Sequence, residues 1–309
     1  MPGIKNPELR LVLGGNTFGW TSDRETSFAV LDDFLAAGGT HIDTADMYAA
    51  WIDEKGGHSE TVLGEWFQAR GNRERVVLAT KVGGLKPYDN QRRESVQAAL
   101  EDALRRLQTD YVDILYSHYD DENVSIAEQA KTYDELVRSG KVRAIGLSNY
   151  SPERMREFFA YATEHGLTVP AVIQTQYNLV HRRDFEQTFQ LLAEEYGAAT
   201  FPYFALASGF LTGKYRTPED LEGRDRAGFV EGYATPPGFG VVDKLVEIAE
   251  QRGVEPASVP LAWQLAKGAS APIASASKPE QLPALTAAAG LSLTDVEVAT
   301  LDDASSVYA

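Results

Sequence analysis

His41-Ile-Asp-Thr-Ala-Asp-Met-Tyr48 begins as a strand and ends as something else. Residues 40–43 form a short apolar run that arrives after the Gly38-Gly39 turn. The chain then becomes polar, carrying Asp43, Asp46 and Tyr48. A carboxylate at the end of a buried strand is costly unless it is paired, and Tyr48 is near enough in sequence to loop back toward it. Taken alone, the stretch also reads as an aspartate capping a turn beside a surface tyrosine. The same plan, an apolar strand that breaks into polar residues ahead of a helix, recurs along the chain. That recurrence decides the fold.

Upstream, residues 9–13 read as a strand ending at Gly14-Gly15. Ser22-Asp-Arg-Glu25 has the pattern of a capping box, and Phe28, Leu31 and Leu35 follow at helical spacing. Downstream comes a loop, 49–58, that holds Trp51 and is longer than a connection requires. The pattern then predicts a helix over 59–70, a strand over 76–80 leading to Lys81, and a helix over 95–107. A strand at 111–116 leads to Ser117-His118, and a helix spans 127–139. Another strand, 142–147, ends in Ser148-Asn149-Tyr150, after which Ser151-Pro152 is an N-cap with proline at the first helical position. The sixth strand leads to Gln174, a helix covers 185–196, and a seventh strand at 198–202 precedes Tyr203. A Gly/Pro-punctuated stretch, 208–240, separates these from helices at 241–252 and 256–267. The eighth strand is 271–273, with helices at 279–289 and 294–301.

Continuous apolar strands alternating with amphipathic helices are the mark of parallel strands buried on both faces. The expected fold is α/β: a single (β/α)8 TIM barrel, residues 1–309 forming one domain. A doubly wound sheet is the runner-up, but Gly14-Gly15-Asn-Thr-Phe-Gly19 has the wrong spacing for a dinucleotide fingerprint. The 309 residues carry a formal charge of −16, which argues against a nucleic-acid footprint and gives no reason to expect an anionic membrane surface. There is no cysteine, so thiolate chemistry and Cys-based metal sites are excluded. The first residues lack the apolar core of a signal peptide, and no apolar run approaches the roughly 18 residues of a membrane span. A cytoplasmic protein is expected.

In such a barrel the chemistry sits at the C-terminal ends of the strands. Reading off those ends gives Asp43, Tyr48, Lys81, His118, Ser148, Asn149, Gln174 and Tyr203. Each alone has an ordinary explanation, as a solvated lysine, a structural histidine, a helix cap or an aromatic lid. Their convergence on one rim argues for a shared site. Ser148 has no evident base, so acyl transfer is poorly supported. The five histidines (41, 58, 118, 165 and 181) show no metal-ligand spacing, so no metal is expected. A glycosidase needs two carboxylates flanking a bond, and this rim offers mainly Asp43. There remains a tyrosine whose proton a cation makes available. Lys81 is expected to lower the Tyr48 pKa from its usual value near 10, Asp43 to pair with Lys81, and His118 to orient an incoming oxygen. That set suits carbonyl reduction.

With these residues placed, the chain resembles the aldo-keto reductases. The match lies in His-Ile-Asp-Thr-Ala-Asp-Met-Tyr48, Leu-Ala-Thr-Lys81-Val-Gly, Leu-Tyr-Ser-His118, Ser148-Asn149, Gln174-Thr-Gln-Tyr-Asn and Leu206-Ala-Ser-Gly-Phe-Leu-Thr-Gly-Lys-Tyr215. The resemblance implies an NAD(P)H-dependent reductase of small-molecule aldehydes and ketones. Hydride would come from the nicotinamide and a proton from Tyr48. It also implies that Ser148, Asn149 and Gln174 bond the nicotinamide carboxamide and that Tyr203 stacks on the ring. Leu206, Ser208, Gly209 and Lys214 would wrap the pyrophosphate, with Thr17 a further cofactor contact. Phe18, Trp51 and Tyr119 are expected to wall the substrate pocket.

The sequence departs from the family in Ile273-Ala-Ser-Ala-Ser-Lys-Pro-Glu-Gln-Leu282. Ser277 stands where an arginine commonly grips the 2′-phosphate of the cofactor. Lys278 is left as the one positive charge there, with Ser275, Ser277 and Gln281 as neutral donors. NADP(H) is still expected over NAD(H). The alternative reading is a cofactor-sensing regulatory subunit related to those of potassium channels, which keep the catalytic residues. Substrate, reaction direction and oligomeric state are not legible in the sequence.

Overall fold

The computed structural model describes residues 6–221 and 227–309; residues 1–5 and part of the Gly/Pro-punctuated stretch, 222–226, lie outside the described residues. Eight strands form one parallel sheet: β1 (Val12–Gly14), β2 (His41–Asp43), β3 (Val77–Val82), β4 (Val112–Ser117), β5 (Val142–Ser148), β6 (Val172–Gln174), β7 (Ala199–Thr200) and β8 (Ile273–Ala274). Neighbours follow chain order and β1 pairs with both β2 and β8. The last seam is closed by single bonds, with Ala271 N donating to Thr200 O (3.2 Å) and Ile273 N to Pro202 O (2.8 Å). The sheet is therefore a barrel, with helices between successive strands.

Side chains alternate across each strand. Val12, Ala79, Ile114, Tyr116, Val172, Phe201 and Ile273 form a core inside the barrel. Leu13, Leu78, Leu115 and Ile173 belong to the larger core between the barrel and its helices. Counting in twos along the inward face leads from Ala79 to Lys81, from Tyr116 to His118 and from Val172 to Gln174. The rim residues sit one layer above the packed interior because of this parity. Gly146 makes room for it: a Cβ there would overlap the Tyr116 ring that fills the upper layer.

Several local expectations are corrected. The N-cap of the first helix, Arg24–Ala36, is Asp23, whose carboxylate accepts from Thr26 N at 2.8 Å. Ser22 is not a cap; its hydroxyl donates across to Ser277 O at 2.9 Å. The helix expected from 241 begins earlier, at Pro236–Arg252, because Thr235 caps it and proline occupies its first turn. The segment expected as one helix over 185–196 opens as a π-helical turn, Phe185–Phe189, before Gln190–Tyr196. The 49–58 loop contains a single helical turn, Ala50–Asp53, bounded by left-handed Ala49 (φ 68°) and Glu54 (φ 63°). Among the described residues no single helix is long and apolar enough to cross a membrane.

Candidate active site

Lys81, at the end of β3, is 1% exposed, as is Asp43 at the end of β2. A buried ammonium needs partners for all its hydrogens, and Lys81 has them. Its Nζ donates to Asp43 Oδ2 (2.5 Å), Thr44 O (2.8 Å) and the Tyr48 hydroxyl (2.9 Å). The other Asp43 oxygen accepts from Gln174 Nε2 at 2.9 Å, and Tyr48 directs its own hydrogen at Asp43 Oδ2, 3.3 Å away. Burial pulls the Lys81 pKa down while Asp43 works the other way.

The expectation that the Tyr48 pKa falls below its usual value is overturned. Burial and the Asp43 carboxylate push the phenol well above its ordinary value. The physical reason is the pairing itself: the carboxylate that satisfies Lys81 is also a near neighbour of the phenol, so the pair's charges largely cancel and burial decides. Tyr48 is therefore a neutral phenol with its proton in place. Lys81 acts by donating into its lone pair, which makes the hydroxyl a stronger donor.

His118 follows β4 and is buried, with burial first and Lys81 second holding its pKa well below the usual histidine value. It is a neutral imidazole. Tyr119 stacks on it at 4.6 Å and Tyr48 meets it edge-on at 6.3 Å, while Nδ1 has no hydrogen-bond partner among the described residues. Gly84 permits this packing, since a Cβ there would come within 2.9 Å of Met47 Sδ and 3.3 Å of His118 Nδ1.

Beyond β5, Asn149 is left-handed (φ 56°) and its amide is fully engaged. Nδ2 donates to His118 O (2.8 Å) and Ser148 Oγ (3.1 Å), and Oδ1 accepts from the Tyr203 hydroxyl (2.8 Å). After β7, four of six residues are left-handed: Phe204 (φ 52°), Ala207 (47°), Ser208 (57°) and Gly209 (94°). Such a backbone is the kind that wraps an anion. The Lys214 ammonium lies against it, 3.1 Å from where a Gly209 Cβ would be, and the positive φ there favours glycine. Leu206 packs its side chain into the core beneath.

A family model described as the aldo/keto reductase family matches residues 10–306. The chain belongs to that family. It is 35% identical to a norsolorinic acid reductase of Emericella nidulans, over 95% of this chain and 77% of the relative. An aldo-keto reductase of Bacillus subtilis is 34% identical over 91% of this chain and 83% of the relative. A probable aryl-alcohol dehydrogenase of Saccharomyces cerevisiae is 31% identical over 91% and 88%. This aldo/keto reductase is thus a carbonyl-reducing oxidoreductase of a family that uses nicotinamide cofactors.

The remaining site residues of this aldo/keto reductase fall into two groups. Near β8, Ser275 Oγ donates to Asn16 Oδ1 (2.6 Å), and Ser277 donates through N (2.7 Å) and Oγ (3.2 Å) to Gln281 Oε1. Thr17 is buried and donates to Ala276 O at 3.0 Å, so it anchors this segment. Lys278 is exposed. At the mouth, Trp51 is 50% exposed and Tyr119 41%. Trp20 meets Trp51 edge-on at 5.1 Å, an aromatic neighbour that sequence reasoning missed although it follows Gly19 on the β1 loop. Phe204, exposed beside Tyr203, was missed as well. Phe18 is a correction: it is 0% exposed and belongs to the core. The Gly15–Phe18 turn, closed by Phe18 N to Gly15 O at 3.0 Å, folds it into the core.

Proposed function

We propose that this aldo/keto reductase reduces apolar, chiefly aromatic, aldehydes and ketones to alcohols, with NADPH preferred over NADH. One observation carries the proton-transfer half of this reading: the Tyr48 hydroxyl bridges the Lys81 ammonium and the Asp43 carboxylate. A bound reduced nicotinamide supplies the hydride. Tyr48 delivers its proton to the carbonyl oxygen as that oxygen gains charge. The Lys81 bond into the phenolic oxygen then stabilises the anion left behind, and Asp43, held by Gln174, keeps Lys81 charged. His118, neutral and buried, orients the substrate oxygen.

The cofactor assignment is supported by the donors present. The left-handed turn with Lys214 suits a pyrophosphate, and Ser148 and Gln174 stand at the ends of β5 and β6, whereas the amide of Asn149 is bonded within the protein. A 2′-phosphate calls for a charged donor, and Lys278 stands exposed in the segment whose serines are already bonded. Replacing Lys278 by alanine is expected to weaken NADPH binding about 10-fold, the worth of one charge-assisted bond, and to leave NADH binding unchanged. Equal dissociation constants for the two cofactors in the unmutated protein would contradict the preference.

The substrate class is supported by the rim. Trp51, Ile52, Tyr119 and Phe204, all large, apolar and exposed, lie on loops that follow β2, β4 and β7. A relative named for aryl alcohols points the same way. In steady-state assays 4-nitrobenzaldehyde is expected to give a much higher kcat/KM than any aldose. Trp51→Ala should raise its KM roughly 5- to 10-fold through lost ring contact, with little change in kcat. An aldose turned over as well as the aromatic aldehyde would overturn the assignment of substrate class.

A further inference from the structure

Asp46 is buried at 2% exposure two residues before Tyr48, and nothing in the reaction so far uses it. Its main chain ties the Tyr48 turn to its surroundings, with Asp46 N donating to Lys81 O (3.1 Å) and Gly57 N donating to Asp46 O (2.6 Å). Gly56 is left-handed there, and a Cβ on it would strike the same carbonyl at 2.6 Å. The carboxyl is buried, and among the described residues its Oδ1 has no hydrogen-bond partner.

A second buried carboxylate bears on Asp46. Glu60, 0% exposed, accepts from Thr80 Oγ1 (2.5 Å) and from Arg106 Nε (2.7 Å). The groups facing Asp46 are therefore Glu60 from helix His58–Arg70, Arg106 from helix Arg93–Leu107, and Lys81 from β3. Tyr119, after β4, and Tyr133, from helix Ile126–Arg138, sense it as well. Both nearby cations already hold another carboxylate, Arg106 that of Glu60 and Lys81 that of Asp43. A buried carboxyl with a like charge near it and no cation bonded to it keeps its proton more readily.

We propose that Asp46 is a positioning residue for Tyr48 that works in its uncharged form, and that loss of its proton disturbs the turn carrying the proton donor. The inference rests on reading Tyr48 as that donor. Burial, then Glu60, push the Asp46 carboxyl up to about 8. Ionisation would put an unpaired anion beneath the turn and a second negative neighbour next to Lys81. Tyr48 itself titrates far higher, so the phenol is not the source of an alkaline fall near this range, and the Asp46→Asn variant separates Asp46 from Lys81, whose pKa burial also lowers.

Two measurements test this on the intact chain. Infrared spectra at pH 7 should contain the carbonyl band of a neutral carboxylic acid, which titrates away in alkali and is missing from Asp46→Asn. The kcat for 4-nitrobenzaldehyde with saturating NADPH should drop roughly 10-fold between pH 7 and pH 9 in the unmutated enzyme, as one group ionising near the middle of that range requires. In Asp46→Asn the ratio of kcat at pH 9 to that at pH 7 should approach one. Glu60→Gln removes the charge that holds the proton on, so its alkaline limb should move to lower pH, and this arm stands if Asp46→Asn folds poorly. No acid band at pH 7, or a limb unmoved in the variants, overturns the proposal. A chain that oxidises NADPH with no carbonyl would instead sink the reductase reading, while the infrared titration still decides whether Asp46 is uncharged.

Discussion

Tyr48→Phe is expected to lower kcat by on the order of 10³-fold, the middle of the range for loss of a positioned general acid, with NADPH affinity nearly unchanged. The substitution keeps the ring, which sits with its centroid 4.7 Å from Lys81 Nζ and 6.3 Å from the His118 ring. It removes one hydroxyl and its bonds to Lys81 and Asp43. Lys81 keeps Asp43 Oδ2 and Thr44 O as acceptors, so the ion pair survives and the fold should change little. Cofactor titration by fluorescence, alongside steady-state rates, separates the two quantities. A Tyr48→Phe enzyme with near-normal kcat would mean that the proton comes from elsewhere.

Lys81→Met should be harsher, because it removes a charge whose partner stays buried. Asp43 would be left with Gln174 and Tyr48 as its hydrogen-bond donors, inside a barrel where it is 1% exposed. Breaking a buried pair from one side costs about 3–5 kcal/mol. The loss should depend on pH in a definite direction. Without Lys81 the buried carboxylate has lost its counter-charge, so the mutant is least impaired in acid, where the carboxyl is uncharged, and loses stability as pH climbs. Turnover should vanish together with the stability. The double variant Asp43→Asn, Lys81→Met removes the orphaned charge and should recover much of the stability without any of the activity. Denaturant unfolding at two pH values checks this; a Lys81→Met variant within about 1 kcal/mol of the parent, in the range of an exposed pair, would contradict the account.

The legible part of this molecule follows from periodicity. An inward residue followed two places on by a polar one, as in Ala79 and Lys81 or Tyr116 and His118, is visible in sequence, and the closed sheet turns that parity into one rim. What escaped depends on distances between segments far apart in the chain. The direction of the Tyr48 shift turns on Asp43 reaching both the phenol and the lysine. Phe18 faces the core because a tight turn, not strand alternation, sets its direction. Asp46 drew notice in the sequence without a role, since Glu60 and Arg106, which give it one, come from two later helices. The Thr235-Pro236 start of a long helix was hidden inside a run of prolines and glycines that reads as loop.

The central claim is that Tyr48, bridged between Lys81 and Asp43, protonates a carbonyl oxygen during reduction by a nicotinamide cofactor. Following NADPH absorbance with 4-nitrobenzaldehyde, for the unmutated enzyme and Tyr48→Phe side by side, tests it most directly. The account predicts steady oxidation of NADPH with stoichiometric alcohol by the first and almost none by the second. Absence of oxidation by the unmutated enzyme with any aldehyde or ketone, despite tight NADPH binding, would contradict it and favour a cofactor-sensing role.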